Sequence, residues 1–127
     1  MASNAATRDK RIAERIRSDL SELLLRGAIR EPDVQGAIVS SVDVTNDLGV
    51  ARVYLRLLDT EVDAARRKRL LEAMGRAAGF VRRELSRSLG VRRVPELRFA
   101  WDDAQDHASR MEQLLADVRR EEEDRRR

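Results

Sequence analysis

Ile12, Ile16, Leu20, Leu23 and Leu24 recur at i, i+4, i+8, i+11 and i+12, the apolar face of a helix with 3.6 residues per turn. The spacing predicts a helix over about 8–26, with Thr7 as its N-cap and Gly27 where a C′ glycine would sit. Pro32 and Gly36 then punctuate a loop. Two strand-like runs follow. In the first, Ile38, Val42 and Val44 fall on one face, with Ser41, Asp43 and Thr45 on the other. In the second, Ala51, Val53, Leu55 and Leu57 alternate with Arg52, Tyr54 and Arg56. Asn46-Asp47-Leu48-Gly49 between them has the residue types of a tight turn, so the pair reads as a β-hairpin with one buried face.

Thr60 with Asp63 three residues on resembles a capping box. Helical spacing resumes through Leu70, Met74, Ala77, Ala78, Val81, Leu85 and Leu89. Gly75 and Gly79 interrupt it, each costing about 1 kcal/mol relative to alanine inside a helix. On a straight helix Phe80 lies about 120° from the apolar stripe, so a break at Gly79 is expected to re-aim it, with two helices meeting there. Gly90 ends that unit. Pro95 precedes a third strand, in which Leu97, Phe99 and Trp101 alternate with Arg98 and Ala100, and a last helix carries Met111, Leu114, Leu115 and Val118. The expected order is α-β-β-α-α-β-α, an α+β fold. The division is a flexible N-terminus at 1–7, a folded domain at 8–106, a C-terminal helix at 107–120 and a frayed, charged tail at 121–127.

Composition narrows the chemistry. The 127 residues include no cysteine, which removes disulfides, thiolate metal sites and cysteine nucleophiles and suits a reducing cytoplasm. No run approaches the ~18 apolar residues of a membrane span, and no signal peptide is visible. Aromatics are 3%, so the core must be aliphatic, with Phe80, Phe99 and Trp101 in it. Charge is unevenly placed. Residues 8–30 hold seven basic and four acidic groups, residues 31–65 two and seven, residues 66–93 ten and two, and residues 94–127 seven and ten. The third block stands at +8, where only Glu72 and Glu84 oppose ten cations. A solvated helix face ordinarily mixes signs, so this block points to a polyanionic partner.

Catalysis finds little support. The single histidine, His107, has no serine marked as its nucleophile, and no P-loop is present. Asp102, Asp103, Asp106 and His107 cluster and could hold a divalent metal. The plainer reading is that Asp102 or Asp103 caps the last helix and His107 is a surface residue. We therefore expect no enzyme activity, no metal and no cofactor. On a helical projection Arg76, Arg83 and Arg87 cluster opposite the apolar stripe, beside Gly75 and Gly79, where the backbone could approach a phosphate. Arg82, Arg92 and Arg93 extend this patch, and Lys10, Arg11 and Arg15 form a second basic strip on the first helix. Tyr54 is the one aromatic placed to stack on a base, so backbone and shape recognition fits better than an aromatic platform.

Three ordered stretches carry a resemblance. They are Ser41 to Leu48 with Ala51-Arg52-Val53-Tyr54, then Ala77-Ala78-Gly79-Phe80-Val81-Arg82, then Arg93-Val94-Pro95-Glu96-Leu97-Arg98-Phe99 followed by Asp102. Over about residues 8–118 the chain resembles the ribosome-binding factor A family of bacterial small-subunit assembly factors. The resemblance implies a type II KH-like fold, α-β-β-α-α-β, with an Ala-x-Gly kink, here Ala77-Ala78-Gly79, in place of the usual Gly-x-x-Gly loop. It implies binding to the free small (30S) subunit, contact with 16S rRNA, and a role in its late processing and maturation in the cytoplasm. An association with assembly GTPases and with growth in the cold is implied too. Asp102-Asp103-Ala104-Gln105 lacks the serine that the family usually places after the third strand's aspartate. We expect a non-catalytic, monomeric RNA-binding factor with no membrane partner. The competing reading is a protein-interaction module whose basic face meets an acidic protein.

Overall fold

The computed structural model describes residues 4–59 and 61–126, with side chains outside 4–7, 104–111 and 113. The order is α1 (Asn4–Leu25), a 3-10 turn (Pro32–Val34), β1 (Ala37–Val44), β2 (Val50–Leu57), α2 (Ala64–Leu89), β3 (Glu96–Trp101) and α3 (Ala104–Arg126). The sheet runs β1-β2-β3, with β1 antiparallel and β3 parallel to the central strand. A parallel neighbour needs a crossover connection, and α2 supplies it. α1 packs on β1, α2 packs on β3, and the two helices touch each other. This α+β arrangement is consistent with a KH-like domain.

The core lies between these helices and one face of the sheet. Ile16 and Leu20 of α1, Val53 and Leu55 of β2, and Leu70, Met74, Val81 and Leu85 of α2 are fully buried. Each large aliphatic side chain so buried stabilises the fold by roughly 1.5–3 kcal/mol relative to exposure. Phe80, Phe99 and Trp101 are partly buried against this cluster.

Four local expectations are corrected. α1 begins at Asn4, so Thr7 lies inside the helix instead of capping it. Asp63 is itself the N-cap of α2, its Oδ1 accepting from Arg66 N at 2.8 Å; a short carboxylate needs no capping box to do this, and Thr60 lies outside the described residues. α2 is one continuous helix through Ala77-Ala78-Gly79, where two helices were expected. Phe80 needs no break to find cover, because the 28–31 segment comes to it: Ala28, Ile29, Arg30 and Glu31 line a hollow with Ala77 and Phe80. The last helix continues past 120 to Arg126, through residues expected to fray. Glu121 and Arg125, one turn apart, pair there at 3.9 Å.

A β-bulge corrects the first strand. The β1–β2 register slips between Val39 and Ser41, and an inserted residue reverses which side chains face inward. Val39 is therefore buried and Ile38 is 41% exposed, while Val42 and Val44 keep their inward place. Ser40, the inserted residue, has its Oγ 2.7 Å from Asp102 Oδ2. Asp102 also donates its backbone N–H to Leu55 O at 3.0 Å. One aspartate thus ties all three strands together at this end of the sheet.

Candidate nucleic-acid interface

Ten basic residues in 66–93 form the candidate interface, and α2 positions most of them. Its first turns carry Arg66, Arg67, Lys68 and Arg69 at the positive end of the helix dipole, where cations are unfavourable. Acids drawn from elsewhere answer them. Arg66 and Arg69 both reach Asp33, at 3.8 and 3.5 Å. Arg66 also donates to Asp33 O at 2.7 Å and Gln35 O at 3.3 Å, holding the 3-10 turn to the helix. Arg67 lies 4.8 Å above the Trp101 ring and 3.8 Å from Asp103. Lys68 reaches Glu72 at 3.9 Å.

The predicted site residues divide in the same way. Arg76 forks onto Glu31, with Nε to Oε1 at 2.8 Å and Nη2 to Oε2 at 3.2 Å. The hydrogen bond lowers the Glu31 carboxyl below its ordinary value and raises the Arg76 guanidinium. Arg15 donates to Ser88 O at 2.9 Å, and Ser88 Oγ donates to Asp19 at 2.5 Å, so this pair fastens α1 to the end of α2. Arg87 pairs with Glu84 at 3.6 Å. Lys10, Arg11 and Arg83 are exposed. Ala77 is buried, Ala78 half-buried and Gly79 exposed.

Arg82, Arg92 and Arg93 meet in one open groove of about 540 Å³, joined by Arg8 of α1. Its floor is apolar: Ile12, Leu48, Val91, Val94 and Pro95. Sequence reasoning missed Arg8. Its signal was present, because Arg8 stands one helical turn before Ile12 and shares a face with Arg11 and Arg15. The walls of the groove are fixed to each other. Asp47 Oδ1 accepts from Thr45 Oγ1 at 2.7 Å and Gly49 N at 2.9 Å, and these bonds hold its carboxyl below the usual range. Gly49 O accepts from Glu96 N at 2.9 Å, joining the hairpin turn to the start of β3. Arg82 Nη2 reaches Val94 O at 3.4 Å across the remaining side. Leu48 sits at φ 59, a left-handed conformation costing a bulky residue about 1–2 kcal/mol.

The acids of the groove are occupied. Asp47 is bonded into its turn, and Glu96 meets Arg98 at 3.5 Å on β3. Arg8, Arg92 and Arg93 make no ion pair among the described residues. Four guanidiniums facing the two carboxylates of Asp47 and Glu96 leave the groove net positive, and their forks match phosphate oxygens.

Among the described residues no group of three His, Asp or Glu side chains is placed to hold a metal ion, and no helix is long and apolar enough to cross a membrane. Asp106 and His107 of the expected cluster lie outside the described side chains, while Asp102 and Asp103 serve the contacts above.

Fold and site together define a small α+β domain of KH-like form with a basic, amphipathic groove at one end. The model of the family described as ribosome-binding factor A matches residues 8–115, and the chain belongs to that family. It is 41% identical over 117 residues to the ribosome-binding factor A of Sorangium cellulosum, covering 92% of this chain and 93% of that one. It is 38% identical over 119 residues to that of Desulfitobacterium hafniense, covering 94% and 92%. Among solved structures, the crystal structure of ribosome-binding factor A from Thermus thermophilus shares the fold, with TM-score 0.64 and 24% identity over 76% of this chain and 97% of that one. A Thermus thermophilus homology model, fitted into a cryo-EM map of a 30S complex, matches with TM-score 0.56 and 26% identity over 72% and 91%.

Proposed function

We propose that this protein is a non-catalytic factor that binds the free small ribosomal subunit by contacting 16S rRNA, and that it assists the late maturation and processing of that rRNA in the cytoplasm. The observation that carries the reading is the gathering, at one end of a domain of this family, of arginines that make no ion pair among the described residues. That a related protein has been fitted into a 30S complex supports the choice of subunit. Arg82, Arg83, Arg92 and Arg93 meet the phosphates, with Arg8, Lys10 and Arg11 beside them and Arg76, Arg87 and Arg15 at the margin through their existing partners. The protein acts as a monomer. It changes rRNA structure by binding energy alone, because a ligand shifts an equilibrium only by its differential affinity for two states. Release by an assembly GTPase and a requirement for growth in the cold belong to the same reading.

Co-sedimentation with separated small subunits, large subunits and bulk RNA across a salt series tests it. Selective retention on small subunits is expected, with the steep log–log salt dependence of counterion release. The double change Arg82→Glu, Arg83→Glu should abolish retention at moderate salt while the thermal midpoint stays near that of the parent. Equal retention on every RNA would leave a generic basic binder. A shallow salt dependence would favour an acidic protein partner.

A further inference from the structure

The groove differs from the rest of the basic surface in having an apolar floor, and phosphate binding alone gives that floor no purpose. Val94 and Pro95 are buried beneath it, and Ile12, Leu48 and Val91 are half-exposed into it. Leu48 is held there in a backbone conformation that disfavours leucine, by a turn locked through Asp47 and Gly49. Strain of this kind persists where the surroundings over-determine it, and it marks sites of function more often than chance. Above the floor stand Arg8, Arg92 and Arg93 without ion-pair partners among the described residues, and Arg82 with one long hydrogen bond to Val94 O.

We infer that this groove is a subsite for one unpaired nucleotide of an RNA chain, with the base laid on the apolar floor at Leu48 and Val91 and the flanking phosphates held by Arg92, Arg93 and Arg8. The inference rests on the proposed RNA binding and goes beyond it by naming the form of RNA and the place. An A-form duplex offers phosphates and 2′-hydroxyls to a protein but keeps its base faces stacked inside. A rim without a floor would serve a duplex; a floor beneath a rim serves a strand with a base turned out. Base faces are apolar on every nucleotide, so the stacking is tolerant of sequence. Guanidinium forks match carboxylate as well as phosphate, so an acidic, leucine-rich peptide is the competing occupant; four guanidiniums around one short floor suit the regularly repeated phosphates of a strand better than carboxylates scattered along a peptide. None of Ala77, Ala78 and Gly79 lines the groove, so the subsite is separate from the Ala-x-Gly segment.

The test uses the full chain, a labelled 12-nucleotide single-stranded RNA, and the same sequence as a duplex. The parent should prefer the single strand. Leu48→Asn should reduce that preference about fivefold, the scale of losing part of one leucine side chain's burial against the base. Asparagine tolerates the left-handed conformation, so the thermal midpoint of this variant should be equal to or above the parent's. Arg92→Ala with Arg93→Ala lies on an exposed loop and keeps the test open should the leucine variant fail to fold. It should lower the salt slope for the single strand by about 1.4, at roughly 0.7 for each phosphate no longer neutralised. An unchanged preference in Leu48→Asn, or none in the parent, overturns the inference and leaves RNA binding standing. If neither RNA form binds while small subunits are still retained, the RNA reading falls and takes the inference with it. Tighter binding of a 12-residue Asp-Leu peptide, abolished in the same variants, would make the groove a protein-docking site and also overturn it.

Discussion

Residues 66–76 and residues 82–93 each hold five basic side chains, yet the fold treats the two sets differently. Every cation of the first set lies within reach of a carboxylate: Asp33 for Arg66 and Arg69, Asp103 for Arg67, Glu72 for Lys68 and Glu31 for Arg76. In the second set only Arg87 has such a partner among the described residues. The helix dipole explains much of the contrast. Four cations at the positive end of α2 need acids brought to them, and Asp63, Asp33 and Asp103 supply these. The second set escapes that penalty by position: Arg82 and Arg83 lie in the body of α2, Arg92 and Arg93 lie beyond its end, and Arg87 stands in the last turn, where the dipole favours a cation. A charge count alone thus overstates the interface. Half of the basic block already faces carboxylates of the domain itself, and in the other half all but Arg87 lack such a partner among the described residues.

The largest effect on stability separating the two sets should come from Arg66. Its side chain is 20% exposed and satisfies two carbonyls as well as meeting Asp33. Hydrogen bonds to charged groups are worth about 1.5 kcal/mol or more. Arg66→Ala should therefore lower stability by about 1.5 kcal/mol, or roughly 5 °C in thermal midpoint for a domain of this size. RNA affinity should change little. Loss of RNA binding in a variant that is still folded would erase the distinction between the sets.

Much of the fold was legible because burial imposes periodicity. Ala51, Val53, Leu55 and Leu57 alternate in sequence and are all buried, and the stripe from Leu70 to Leu85 is the buried face of α2. The bulge was not legible. Val39 and Ser40 break the alternation by one residue, and only the pairing with Tyr54 and the bond to Asp102, 62 residues away, decide which of them is extra. Continuity of α2 was missed for a related reason. Gly79 weakens a helix locally, but packing of Ala77, Val81 and Leu85 into the core outweighs that cost. In sequence, residues 66–93 form a single basic block because the acids that pair with part of it lie far along the chain. Arg76 meets Glu31 across 45 residues and Arg66 meets Asp33 across 33, distances at which sequence spacing carries no information about charge pairing.

Gly75 and Gly79 stand at the boundary between the two sets, and they sharpen the comparison with a smaller effect. A Cβ built at either position meets nothing within 4 Å, and neither has a positive φ. The fold itself therefore makes no use of their freedom. Gly79→Ala should raise stability by about 0.5–1 kcal/mol, measured by chemical denaturation. A loss of stability would show that α2 depends on glycine to bend at this point.

The smallest expected effect concerns Arg76, the one residue of the first set predicted to touch RNA. Its fork onto Glu31 holds that carboxyl below the ordinary glutamate value, while the guanidinium stays charged at every relevant pH. A depressed carboxyl stabilises the folded state fully above its unfolded pKa and loses the contribution as pH falls through the folded one. The parent should therefore lose a small increment of stability on acidification below the ordinary glutamate range, and Glu31→Gln should lack that increment. The same substitution releases Arg76, whose side chain is 56% exposed. If Arg76 belongs with the structural set only because Glu31 neutralises it, Glu31→Gln should strengthen RNA binding by up to about threefold and steepen the salt slope by up to about 0.7. Weaker binding would mean that Glu31 positions Arg76 for the RNA, and the boundary between structural and available arginines would then move back to Arg69.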